Sequence, residues 1–429
     1  MKRLLSLLLC AVLALFCATT AQAAGVSITL TASEYALHYA FDAGAQDPFV
    51  ILEYATPAEK GWMMLYSEDG HFEGDVSLAY SGAGGKTSVA LTSARTTGSI
   101  GKASTTLPKA ADYQKPTGKS NAKVMDFVLT ETPEGFHYAF NAIGTDYMLL
   151  YWRSKEQTVT QPVYPDENGH YEGDVVSELT FARTQFTVQV KSGSGSMKKE
   201  ATVRKGYQAP EAPQRQEGRL SGVTVCIDAG HQENGRFVNE PIGPGLTGST
   251  SGKGGMAQGT KTNRRESIVC LEIGMLLRDE LLRQGANVVM TREDQTTFHT
   301  NIERCEIAEA GGAQIMLRLH CNNSSNRSKR GIQVYGPLNS DYAKAVADAD
   351  TYREMGQKLL DAMKTRVGMT LANSTGMVRL NDNYVGNNWA KMMCFLVEMG
   401  YLSNPAEEYL LVTPVYQQWL AEGMADGVY

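Results

Sequence analysis

Gly222-Val223-Thr224-Val225-Cys226-Ile227-Asp228-Ala229-Gly230-His231 is the stretch whose reading decides the fold of the second half. Its near-continuous apolar run is that of a strand buried on both faces, and it stops on polar residues able to do chemistry. Two later stretches have the same form. Ile315-Met316-Leu317-Arg318-Leu319 runs into His320-Cys321-Asn322, and Met393-Cys394-Phe395-Leu396-Val397 runs into Glu398-Met399-Gly400. Between them the spacing turns helical. Ser267 to Leu282 carries Ile268, Leu271, Met275, Leu276 and Leu282 on or near one face; Ile302 to Ala310 and one long helix, Ala343 to Thr365, follow, with the last helices over Glu407 to Met424. Asn287 to Thr291 and Ile332 to Tyr335 add strands. This alternation predicts an α/β domain, a mainly parallel sheet flanked by helices, over 219–429.

In open α/β sheets the ligand crevice lies beyond the carboxyl ends of the strands. If the three strands are parallel neighbours, His231, His320 and Glu398 converge there. Glu266, in Asn263-Arg264-Arg265-Glu266, has two readings. With Asn263 as N-cap it completes a capping box. Alternatively it is a third ligand, since two His and one Glu with an open position make a catalytic zinc set. Arg318 shares a strand face with His320 and would pair with a substrate carboxylate or stand as a solvated charge. With Asn322 it is the candidate for substrate contact. His299 reads as a loop or cap residue.

The first half repeats itself. His38-Tyr39-Ala40-Phe41 returns as His137-Tyr138-Ala139-Phe140, and Gly70-His71-Phe72-Glu73-Gly74-Asp75-Val76 as Gly169-His170-Tyr171-Glu172-Gly173-Asp174-Val175, both 99 positions later. One constant offset marks a duplicated unit. Short aromatic and β-branched runs between Asp-Gly and Asn-Gly turns predict two all-β units, sandwiches of immunoglobulin-like kind, at 24–105 and 122–204. Residues 106–121 and 205–218 read as linkers. The repeated histidines are either two small metal or ligand sites or positions kept on duplication, and exposed Tyr and Trp would offer a glycan surface where they do not fill cores.

Lys2-Arg3, the apolar run Leu4 to Phe16 and Ala21-Gln22-Ala23 predict a signal peptide over 1–23 that is removed on export. Loss of Lys2 and Arg3 takes the formal net charge from −6 to −8. That acidity argues against a nucleic-acid partner. No other run in the 429 residues is long and apolar enough to span a bilayer, so no integral membrane segment is expected after cleavage. Cys226, Cys270, Cys305, Cys321 and Cys394 are an odd number beyond the signal, and mostly free thiols are expected.

From Asp228-Ala229-Gly230-His231 through Glu266 and His320-Cys321-Asn322 to Val397-Glu398-Met399-Gly400-Tyr401-Leu402-Ser403-Asn404, the chain resembles the zinc-dependent N-acetylmuramoyl-L-alanine amidases of bacterial cell-wall turnover. Thr291-Arg292 and Arg304 fit the same pattern. The resemblance covers about 219–429. It implies one Zn²⁺ held by His231, Glu266 and His320, with Glu398 as catalytic glutamate. It implies hydrolysis of the amide between the muramic-acid lactyl group and L-alanine of peptidoglycan by a secreted or wall-associated enzyme. The β units would then contact a wall glycan or a protein. Ala229, Arg318 and Cys321 depart from the family pattern, and a thiolate at Cys321 would compete for zinc. The stretch 232–262 is longer than usual and holds eight glycines, which suits a lid, a block or a plain loop. A surface-binding protein with an inactive amidase-like domain, and a zinc peptidase acting on the stem peptide, are the competing functions.

Overall fold

The computed structural model describes residues 19–21, 25–96, 98–117, 120–132, 135–154, 157–176, 185–191, 198–204, 209–232, 238–250, 256–262, 264–367 and 377–429. Most of the expected signal peptide and Asn263 lie outside these residues. The contacts divide the chain after Lys205 into two compact units.

The first unit is all antiparallel β. A short strand β1 (Thr19–Ala21) pairs with β2 (Ile28–Ala32). There follow β3 (Ala36–Asp42), β4 (Phe49–Ala55), β5 (Glu59–Tyr66), β6 (His71–Ser77), β7 (Gly85–Ser93) and β8 (Ser99–Leu107). A second set comprises β9 (Ser120–Thr132), β10 (Gly135–Thr145), β11 (Met148–Arg153), β12 (Gln157–Val163), β13 (His170–Val176), β14 (Gln185–Lys191) and β15 (Lys198–Arg204). From β3 and β10 onward, paired strands start 98–100 positions apart. Each set makes a small sheet, β2-β3-β6 or β9-β10-β13, and a four-strand sheet, β5-β4-β7-β8 or β12-β11-β14-β15.

Alternation sorts the side chains. Leu37, Tyr39 and Phe41 of β3 enter one core, and Phe136, Tyr138 and Phe140 of β10 enter the other. Trp62 and Trp152 are buried, which answers the glycan-surface reading for them in favour of packing. The two four-strand sheets meet edge to edge, with Gln157–Val159 of β12 antiparallel to Glu59–Gly61 of β5. At that seam the buried Glu59 carboxylate accepts from Tyr80 N at 3.0 Å, Ser81 Oγ at 2.8 Å and Gln157 Nε2 at 3.1 Å.

The second unit holds one six-strand sheet, built from β16 (Thr224–Ala229), β17 (Asn287–Met290), β18 (Ile315–Asn322), β19 (Gln333–Gly336), β20 (Met377–Leu380) and β21 (Met393–Tyr401). Their order is β17-β16-β18-β21-β19-β20. All pairings are parallel except β19 with β21, so the sheet is mixed, though mainly parallel as expected. The helices are α1 (Glu266–Arg283), α2 (Asn301–Ala310), α3 (Asp341–Val346), α4 (Ala349–Val367), α5 (Val385–Trp389), α6 (Glu407–Leu410) and α7 (Pro414–Val428). No described helix is long and apolar enough to cross a membrane.

Three local expectations need correction. The single helix over 343–365 is two, because Ala347 is extended and the Asp348 carboxylate takes the Thr351 N–H at 2.7 Å, a competing start signal. Helix α1 is buried on most of its surface rather than along one stripe, and Leu276 and Leu282 are only half-buried. Strand β20 was not anticipated; it is four residues long, too short for a period to show.

Phe140 is fully buried and stacks on Tyr171 with ring centroids 4.6 Å apart. Phe140→Ala is expected to cost about 3–5 kcal/mol, read as a lower denaturation midpoint for the fluorescence of Trp152 in the same core.

Candidate metal centre

The carboxyl ends of β16, β18 and β21 lie side by side. Asp228 pairs in register with Arg318, and His320 with Glu398. In-register neighbours present their side chains to one face, so Asp228, Arg318, His320 and Glu398 share a face. His231 follows β16 in the left-handed region at φ 58°, and Glu266 opens α1.

Glu266 is the hub. Its Oε1 lies 3.1 Å from His231 Nε2 and 3.0 Å from His320 Nδ1, and accepts from Cys321 N at 3.0 Å. Its Oε2 accepts from Ala257 N at 2.8 Å. One donor atom from each of His231, Glu266 and His320 falls within 4.8 Å of the others, and among the described residues no other such group of three occurs. The capping-box reading of Glu266 fails: the helix starts at Glu266 itself and its N-cap Arg265 makes no side-chain cap.

Burial by itself would raise the Glu266 carboxyl; hydrogen bonds and charge from His231 and His320 outweigh it and hold the group well below the usual range. Burial lowers the His320 pKa, against the pull of Glu266, toward the neutral imidazole that a metal requires. Glu398 goes the other way: burial, then the Glu266 charge, pushes it up to about 8. Its Oε2 and His320 Nε2 are buried without hydrogen-bond partners among the described residues. Two imidazoles and a carboxylate converging beside such atoms fit a zinc ion.

The loop bearing His231 is clamped by arginines. Arg292 donates to the carbonyls of Ala229 at 2.8 Å, Gly230 at 2.9 Å and Ser267 at 2.7 Å. Arg304 reaches the carbonyls of Ala229 at 3.1 Å and His231 at 3.2 Å. Arg304 also pairs with Asp228, which takes Thr291 Oγ1 at 2.8 Å and Arg318 Nε at 2.9 Å. The two guanidiniums overcome the burial penalty and hold Asp228 ionised, far below the usual carboxylate range. Arg318 is thus corrected. It is 3% exposed and spends its donors on Asp228 and on Asn301 Oδ1 at 2.7 Å, so it is neither a solvated charge nor aimed at a substrate.

Asn322 is half-buried at the end of β18 and donates to Gln333 Oε1 at 3.1 Å. The Cys321 thiol is hydrogen-bonded to that of Cys270. Burial pushes the Cys321 thiol well above the ordinary value. All five described cysteines are free and buried. His299 lies in the loop before α2 and gives its carbonyl to Arg304 Nε at 3.2 Å.

The glycine-rich stretch is anchored where it is described, and 233–237 and 251–255 lie outside the described residues. Glu240 caps α2, accepting from Asn301 Nδ2 at 2.7 Å and Ile302 N at 2.8 Å. Trp389 Nε1 donates to Pro241 O at 2.9 Å, and Lys261 N to Glu408 Oε2 at 2.9 Å. Ala257, Glu240 and Thr262 are buried, which a plain surface loop would not show. The repeated histidines have partners of their own: His38 and His137 sit on Asp75 and Asp174 at 3.1 and 2.9 Å, and His71 and His170 on Asp42 and Asn141 at 2.7 and 2.9 Å.

Residues 225–429 match the family model described as N-acetylmuramoyl-L-alanine amidase. The match spans a little under half of the chain. The germination-specific N-acetylmuramoyl-L-alanine amidase of Bacillus subtilis is 26% identical over 223 residues, 49% of this chain and 79% of the relative. The probable cell wall amidase LytH of Staphylococcus aureus is 27% identical over 218 residues, 50% of this chain and 60% of its own length. Among solved structures, an N-acetylmuramoyl-L-alanine amidase from Clostridium difficile 630 is 24% identical at a TM-score of 0.39, covering 49% of this chain and 95% of its own. The apo form of one from Mycobacterium abscessus is 20% identical at 0.43, covering 49% and 98%.

The residues quoted from the sequence thus come together, but the clamp and the anchors were invisible as roles. Arg292, Arg304, Glu240 and Glu408 bond partners tens of residues or more away; the signal open to sequence was a charge set beside apolar runs. One packing constraint is testable. A Cβ on Gly230 would lie 2.4 Å from Leu319 O and 2.7 Å from His320 Cε1. Gly230→Ala should displace His320 and weaken zinc binding about 10- to 100-fold, measured by competition with a chromophoric chelator.

Proposed function

We propose that the protein is an exported zinc amidase that cleaves the bond between N-acetylmuramic acid and L-alanine in peptidoglycan. The observation that carries this is the convergence of His231, Glu266 and His320 within 4.8 Å, with Glu398 in register beside His320. The family model that residues 225–429 match and the names of the relatives support the same reading. Lys2-Arg3 and the apolar Leu4 to Phe16 support export.

His231, Glu266 and His320 would hold the zinc. Bound there, zinc supplies a Lewis acid that polarises the scissile carbonyl and lowers the pKa of a water to about 7. Ala257 N and Cys321 N orient the Glu266 carboxylate for that task, and Arg292 and Arg304 hold the His231 backbone. Glu398 takes the proton of the attacking water and passes it to the departing amine as the carbon–nitrogen bond breaks. Burial favours the protonated form of Glu398 once it has accepted that proton, so the group is suited to both halves of the transfer. Asn322 stands at the rim as a substrate-contact candidate.

The first unit would serve as the wall-contacting module. Its two sets of seven strands, each with a small sheet and a four-strand sheet, support reading them as duplicated immunoglobulin-like units.

Digestion of purified peptidoglycan followed by mass spectrometry is the deciding experiment. Free muramic-acid ends with intact stem peptides are expected; cut peptides, or no product, would replace the proposal with a peptidase or an inactive domain. Glu398→Gln should lower turnover about 10²- to 10⁴-fold while one equivalent of zinc stays bound. Chelation of the unaltered protein should abolish cleavage, and added zinc should restore it.

A further inference from the structure

Glu408 lies in α6, outside the metal centre, and has no solvent exposure. A carboxylate taken out of water is tolerable where hydrogen bonds replace the lost solvent. Here they come from one turn of the chain. Oε2 accepts from Lys261 N at 2.9 Å and Thr262 N at 3.3 Å, and Oε1 accepts from Thr260 Oγ1 at 3.2 Å.

That turn leads directly to a metal ligand. Gln258 bridges Arg265 in antiparallel fashion, Gly259 N donates to Arg264 O at 2.9 Å, and Glu266 N donates to Ala257 O at 2.9 Å. The two legs therefore end on Ala257 and Glu266. Across this mouth Ala257 N holds Glu266 Oε2 at 2.8 Å, and Oε1 is the oxygen that lies beside His231 and His320. The two legs are mounted differently. The Glu266 leg runs into α1, and Arg264 pairs with Glu272 of that helix at 2.9 Å. The Ala257 leg enters no helix, and its tip is fastened to Glu408. The fit is close as well as bonded: a Cβ on Gly259 would lie 2.4 Å from Thr262 Oγ1 and 2.5 Å from Glu408 Oε2. Glu408 itself stands on firm ground, since its N–H donates to Asn404 O at 3.0 Å and the adjoining Leu410 and Leu411 are fully buried.

We propose that Glu408 is a positioning residue for the metal ligand Glu266, acting through the turn at 257–262. By fixing the tip of the turn it fixes Ala257 N, which keeps Glu266 Oε2 turned away and leaves Oε1 as the single oxygen offered between the imidazoles. The proposal rests on the zinc reading of the site.

The test compares zinc affinity, by competition with a chromophoric chelator, in the full chain and three variants. Glu408→Met keeps the bulk and removes every acceptor. It should weaken zinc binding about tenfold. Gly259→Ala leaves Glu408 in place but pushes the turn off it, and should weaken binding to a similar degree. Glu408→Gln keeps one oxygen for the two backbone amides and can turn its NH₂ to the Thr260 hydroxyl, which can accept. It should bind zinc within about threefold of the unaltered chain. Cobalt(II) in place of zinc supplies a second readout. In Glu408→Met and Gly259→Ala the freed Oε2 can join the metal, and the visible absorption should weaken as four-coordination is lost; Glu408→Gln should keep the spectrum of the unaltered chain. Zinc binding by Glu408→Met within twofold of the unaltered chain overturns the proposal. So does a loss with an unchanged cobalt spectrum, which marks general destabilisation, or an equal loss in Glu408→Gln. Failure of the unaltered chain to bind zinc overturns the metal reading and takes the proposal with it.

Discussion

A single buried carboxylate organises the catalytic half. Asp228 has no solvent exposure, yet it is held ionised between Arg304 and Arg318. A charge in that position is tolerable only when it is fully paired, and removal of one partner would leave the others stranded. The pairing also does geometric work. Arg304 ties the end of β16 to α2 and Arg318 ties β16 to β18, so the strand that precedes His231 and the strand that carries His320 are held together. With Arg292 holding three carbonyls, His231 keeps a left-handed backbone that an unsupported loop would relax.

Much of this was legible in the sequence, for a physical reason. Strands buried on both faces must be apolar, so the polar residues that end them stand out; that is how His231, His320 and Glu398 could be placed before any coordinates. The 99-residue offset likewise foretold where most of the second set of strands begins. Arg318 was misjudged because a charge inside an apolar run looks the same whether its partner is solvent or a carboxylate 90 positions away. Glu266 as a cap and Glu266 as a ligand differ by two positions of helix start, which propensity does not resolve. The anchors of the long 232–262 stretch were hidden because each is one contact between distant segments, with no periodicity to betray it.

The centre shows how burial and hydrogen bonding separate three carboxylates within one small space. Asp228 is paired twice and stays charged. Glu266 accepts from two backbone amides and faces two imidazoles, so it stays charged as well. Glu398 has no such support and leans toward its neutral form. Environment alone sets the three carboxylates apart.

The seam between β5 and β12 has a bearing on how this architecture can vary. An open strand edge invites pairing with another chain. Here each four-strand sheet covers the other's inner edge, and the buried Glu59 is satisfied from both sides of the seam. Either set alone would present a bare edge and a carboxylate missing its Gln157 partner. The two are therefore interdependent. Loss of either set would uncover a strand edge open to pairing with another chain.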